Sequence, residues 1–129
     1  MGIGERRNRG SMKKFSLTAI ARTQRRTAAT VSSGRAASTV FGGHEHTLRQ
    51  TVIALAAGTA LKEHVNPGEA TVLVLSGRIR LTSGEHQWEG RDGDMLIMPS
   101  GNSQITALEE SAMLLSVAKT DRAVAAATG

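Results

Sequence analysis

The chain has 129 residues, 40% of them hydrophobic, with three aromatic residues (Phe15, Phe41, Trp88), no cysteine and a formal net charge of +5. That length holds one domain, and the absence of thiols excludes both a disulfide framework and a thiolate metal site. Three scattered aromatics make no stacking platform for single-stranded nucleic acid. No apolar run approaches the ~18 residues of a membrane span, and the N-terminus lacks the apolar segment of a secretory signal, so a cytoplasmic protein without membrane contact is expected.

The charge is unevenly spread. Residues 1–37 hold nine Lys and Arg against Glu5 alone, a balance of +8, whereas the remaining 92 residues hold seven basic and ten acidic side chains, a balance of −3. A basic arm of this kind is either a solvated leader or a contact for nucleic acid, held through phosphates and counterion release. Residues 1–15 read as a disordered leader of Gly, Arg and Asn without periodicity. The Arg-, Ser- and Ala-rich composition up to residue 38 is also that of an organelle transit peptide.

Residues 16–37 predict a helix and a linker. Ser16 is the expected N-cap, with Leu17, Ile20, Ala21 and Gln24 on one face and Arg22, Arg25 and Arg26 on the other. Thr27 to Gly34 is expected to break the helix. From there to residue 119 the period is two, and short strands alternate with turn signals: Ser38 to Phe41, Leu48 to Leu55, Leu61 to Val65, Ala70 to Leu75, Arg78 to Thr82, His86 to Trp88, Met95 to Met98, Gln104 to Leu108 and Ala112 to Ala118. Nearly every residue of Ala70 to Leu75 is apolar, which predicts a strand buried on both faces. Eight or nine strands at this spacing predict an all-β, antiparallel sandwich or barrel over residues 38–119, followed by an Ala-rich, fraying tail at 120–129.

Within this pattern lie two glycine-framed stretches. In the first, Gly58 is followed after five residues by His64, and Gly77 closes the stretch. In the second, Gly93 is followed after five residues by Pro99 and then Gly101. This frame resembles the two motifs of the cupins, and the resemblance implies a small antiparallel jelly-roll β-barrel preceded by one short helix. Each glycine is expected at a corner that needs φ > 0, and Pro99 where a strand can do without its N–H donor.

The family pattern also implies a metal site of three histidines and a glutamate, and here the chain departs from it. His64 occupies the first ligand position, but Asn66 stands at the second, Ala70 at the glutamate position, and Gln104, or Ser103 if the turn is shorter, at the last. Glu69 adjoins Ala70, yet a displacement of one residue turns a strand side chain to the opposite face. One imidazole among amides and hydroxyls is a weak set for zinc, iron or manganese. His44 and His46, two apart, are expected on one face of a strand end as a separate pair. If Ala57-Gly58 is a tight turn, His64 pairs near Gln50, roughly 13 Å from His46 at the usual strand rise.

A barrel that binds a small molecule without an obligatory metal is therefore expected, with Gln50, His64, Asn66 and Gln104 as polar lining among Val72, Val74, Met98 and Ile105. The alternative is a metal-dependent dioxygenase, isomerase or epimerase in which His64 is joined by Glu69 or by His44 and His46. A neutral His64 could also serve alone as general acid or base. Trp88 is expected to cap the barrel or a dimer contact, and the resemblance implies a homodimer paired through an edge strand such as Ser38 to Phe41.

Overall fold

The computed structural model describes residues 12–63 and 68–119. Among the described residues one helix, α1 (Leu17–Thr30), precedes nine strands: β1 (Arg35–Phe41), β2 (Leu48–Leu55), β3 (Ala60–Glu63), β4 (Gly68–Ser76), β5 (Arg78–Ser83), β6 (His86–Arg91), β7 (Met95–Ile97), β8 (Ser103–Ala107) and β9 (Ser111–Lys119). They form two antiparallel sheets, a five-stranded one in the order β1-β2-β9-β4-β7 and a four-stranded one in the order β3-β8-β5-β6. This is the expected all-β jelly roll with a short N-terminal helix.

Alternation along the strands explains the core. In β5 and β8 every second residue is buried, Ile79 and Leu81 in one and Ser103, Ile105 and Ala107 in the other. Across from them the five-stranded sheet contributes Ile53, Leu55, Val72, Val74, Met113 and Leu115, so the two inner faces interdigitate in one apolar cluster. Gly90 closes the seam where β6 meets β4 and β7. A Cβ there would sit 3.1 Å from Val74 and 3.3 Å from Leu96, so a larger residue would hold the sheets apart.

A second cluster lies on the outer face of the five-stranded sheet, where Val52, Ala54 and Ala112 meet Ala21 and Ala28 of α1, flanked by Leu17, Ile20, Leu75 and Leu114. Small residues on both sides allow the helix to approach the sheet closely. As a result β4 is apolar on both faces, with Val72 and Val74 turned into the barrel and Leu75 turned to the helix.

The N-cap is Ser16, whose Oγ accepts from the Ala19 N–H at 3.2 Å. The helix, however, runs past the expected break at Thr27. Thr27 and Thr30 turn their hydroxyls back onto the carbonyls of Thr23 and Thr27, and burial of Ala28 against the sheet holds the last turn in place. Strand β1 begins at Arg35, three residues before the expected Ser38, and forms one edge of its sheet.

The pairing of β2 with the following strand is not found. β2 pairs with β1 and β9, while β3 crosses to the other sheet and pairs with β8. The turn at Ala57-Gly58 therefore carries the chain between sheets, and a strand-ladder separation between His46 and His64 has no basis. His44 and Glu45 form a turn between β1 and β2 in place of a strand end, with the His46 N–H donating to the Gly43 carbonyl at 3.2 Å. The same-face reasoning for His44 and His46 fails because a turn does not alternate.

Candidate functional site

The glycine frame is built as the backbone requires. Gly58, Gly77, Gly93 and Gly101 have φ of 85°, 95°, 88° and 93°, and no described non-glycine residue has a positive φ. Gly77 is doubly constrained, since a Cβ there would also collide with the Ser111 side chain and the Glu110 carbonyl. Its N–H donates to Asp92 Oδ1 at 2.7 Å, while the next N–H, of Arg78, donates to the buried Ser111 Oγ at 3.0 Å. Ser111 Oγ in turn donates toward the carbonyl of Glu109 at 2.7 Å. These bonds tie β5 to β9, one strand from each sheet, at one end of the barrel.

Of the positions that correspond to the family's ligands, 70 falls on β4 and 103 and 104 on β8. His64 and Asn66 lie outside the described residues. Ala70 is only 6% exposed and packs in the core with Val72, Met98 and Ile105. Its neighbour Glu69 is exposed and, by alternation, on the outer side of β4. At the last position it is Ser103, 6% exposed, that turns inward beside Ile105. Gln104 falls on the outer face and donates from Nε2 to Thr106 Oγ1 at 3.4 Å.

Gln50 is likewise turned outward. It shares a face with Val52, which packs under the helix, and donates from Nε2 to Ser116 Oγ at 3.0 Å. The expected lining by Gln50 and Gln104 is thus corrected by strand parity: each is one residue out of step with the inward positions of its strand. Val72, Val74, Met98 and Ile105 are all buried in the barrel core.

The donor set can be tested against the divalent metal that the fold family implies. An alanine at the carboxylate position and a serine at the last position provide no strong ligand for a transition metal. Among the described residues no three His, Cys, Asp or Glu side chains gather where they could hold one ion. His46 packs instead on Phe41, ring centroids 5.2 Å apart at 48°. The described residues do not fit the family's metal.

Two other features lay within reach of sequence reasoning. His86 stacks on Trp88 with centroids 6.3 Å apart and planes 11° apart. Both sit on edge strand β6, where Trp88 is 53% exposed rather than sealed over the core. On the outer face of the same sheet Glu89 pairs with Arg78 and Arg80, and Arg78 also with Glu109, at 3.2–3.8 Å. Two arginines two residues apart in β5, with a carboxylate opposite Arg80 in β6, signal such a ladder, once the register is known.

The sequence profile of the cupin domain matches residues 51–117, more than half of the chain. A conserved protein of unknown function from Streptococcus pyogenes is similar in structure, with 28% identity, a TM-score of 0.62 and coverage of 70% of this chain and 78% of that one. A protein of unknown function from Rhizobium leguminosarum shares 21% identity at a TM-score of 0.60, covering 84% of this chain and 96% of its own. A cupin 2 conserved barrel domain protein from Salinispora arenicola shares 17% identity at a TM-score of 0.60, covering 75% and 86%. The last two show likeness of fold. None of the curated proteins matches the chain. No helix among the described residues is long and apolar enough to cross a membrane. With its glycine corners, its two-sheet jelly roll and the matching profile in agreement, the chain belongs to the cupin family.

Proposed function

We propose that this cupin is a non-catalytic barrel that binds a small molecule, in a recognition or regulatory role, without an obligatory metal. The observation that carries this reading is Ala70: the position of the family's carboxylate is filled by a methyl group buried against Val72 and Met98. A barrel lined in this way offers apolar contact and the inward hydroxyl of Ser103, which select a ligand by shape and hydrogen bonding but supply little to react with.

The test is metal analysis of untagged protein together with a thermal-shift ligand screen, each run with and without zinc, iron and manganese. The expected result is metal well below one per chain, unchanged in His64→Ala, and a ligand that raises the melting temperature equally in chelator. A ligand at a hundred times its Kd stabilises by about 2.7 kcal/mol, a shift that is easily read. Near-stoichiometric metal that disappears in His64→Ala would overturn this reading in favour of a metal-dependent dioxygenase or isomerase.

A further inference from the structure

One flank of α1 carries Arg22, Arg25, Arg26 and Ala29, at the three- and four-residue spacing that stacks side chains along one helical face. With Glu110, from the turn between β8 and β9, they line a cleft of about 260 Å³. The cleft lies outside the barrel and is independent of any ligand within it.

Among the described residues no ion pair engages the charges of this cleft. The ion pairs among the described residues all involve Arg78 or Arg80 on the other sheet, so Arg22, Arg25, Arg26 and Glu110 form none there. Arg25 Nε is buried without a hydrogen-bond partner. A buried guanidinium N–H that no described residue satisfies is suited to an incoming acceptor. Ala29 contributes a single methyl group, which leaves the cleft open where a longer side chain would fill it.

We propose that this cleft binds the phosphate group of a small phosphomonoester. Three guanidinium groups and one carboxylate give a balance of +2, which complements the charge of about −1.5 to −2 on a phosphomonoester at neutral pH. Arginine's planar fork matches phosphate oxygens in bidentate fashion, as a lysine cluster would not. Glu110 in the same cleft accepts hydrogen bonds only, so it suits a hydroxyl or ammonium group on the organic part of the ester. The same carboxylate disfavours a polyanion: duplex DNA carries one charge per ~1.7 Å of axis, and a backbone tracking past the arginines would be driven against Glu110.

Calorimetric titration of the full chain, at fixed ionic strength, with inorganic phosphate, glycerol phosphate and a short DNA duplex tests the assignment. Saturable one-to-one binding is expected for both phosphates, tighter for glycerol phosphate. Arg25→Gln should weaken both at least tenfold, Ala29→Leu should block both while keeping a strong helix former in place, and Glu110→Gln should abolish the preference for the ester. Arg35→Gln, a charge change outside the cleft, should leave both affinities unchanged. Unfolding curves for each variant separate lost binding from lost fold. Absence of saturation, equal loss in Arg35→Gln, a preference that survives in Glu110→Gln, or a duplex that binds more tightly than glycerol phosphate with a steep salt dependence would each overturn it.

Discussion

The outer face of the five-stranded sheet carries Val52, Ala54, Ala112 and Leu114 where it lies under α1, whereas that of the four-stranded sheet carries Arg78, Arg80, Thr82, Glu89, Gln104 and Thr106. The inner faces of the two sheets are alike, both aliphatic and both committed to the same core. The difference therefore arises outside the barrel, and it divides the labour of the fold. One sheet is a three-layer structure whose outward residues must be small and apolar to seat a helix. The other is a two-layer structure whose outward residues need only be solvated and paired in charge.

The sharpest way to break this contrast is to place one substitution on each outer face. Ala54→Asp puts a carboxylate into the apolar helix–sheet seam and should cost about 3–5 kcal/mol of stability in urea unfolding. Thr106→Asp, on the other sheet and paired across the ladder with Arg80, should stay within about 0.5 kcal/mol of the parent. Equal losses at the two sites would mean that α1 does not cover the sheet as described.

Between these extremes lies the tie between the sheets. Ser111→Ala removes the hydroxyl that accepts from the Arg78 N–H and donates to Glu109. Because both backbone partners lie beside a buried side chain, the loss should be about 1–3 kcal/mol, with the midpoint of denaturation moving at constant slope. An unchanged midpoint would show that water replaces the hydroxyl. The smallest effect belongs to the charge ladder. Glu89→Gln leaves Arg78 and Arg80 without their shared partner, yet these side chains are a third to a half exposed, so a cost below about 1 kcal/mol is expected, shrinking further in high salt. A loss as large as that of Ser111→Ala, insensitive to salt, would contradict the solvated reading of this face.

Much of the barrel was legible in the chain because its constraints are local. A positive φ demands glycine, and the four motif glycines occupy such corners. Period-two burial follows from strand geometry, and Leu48–Leu55 was bounded by its own pattern and flanking turns. The site was less legible. Gln50 and Gln104 are polar residues at suitable distances along the chain, but which face they take depends on parity within a strand whose first paired residue is set by its neighbours. A shift of one residue separates lining the barrel from lying outside it.

The sequence by itself determined the corners, the run of short alternating strands, the capping of α1 at Ser16 and the absence of a carboxylate at position 70, since each rests on one residue's chemistry or on contacts a few residues long. Only the tertiary structure decided that β3 leaves β2 for the other sheet, that Ser103 rather than Gln104 faces inward, and that Arg22, Arg25 and Arg26 share a cleft with Glu110. These depend on partners distant in the chain, and pairing between remote segments is fixed by the packing of the whole molecule rather than by any local preference.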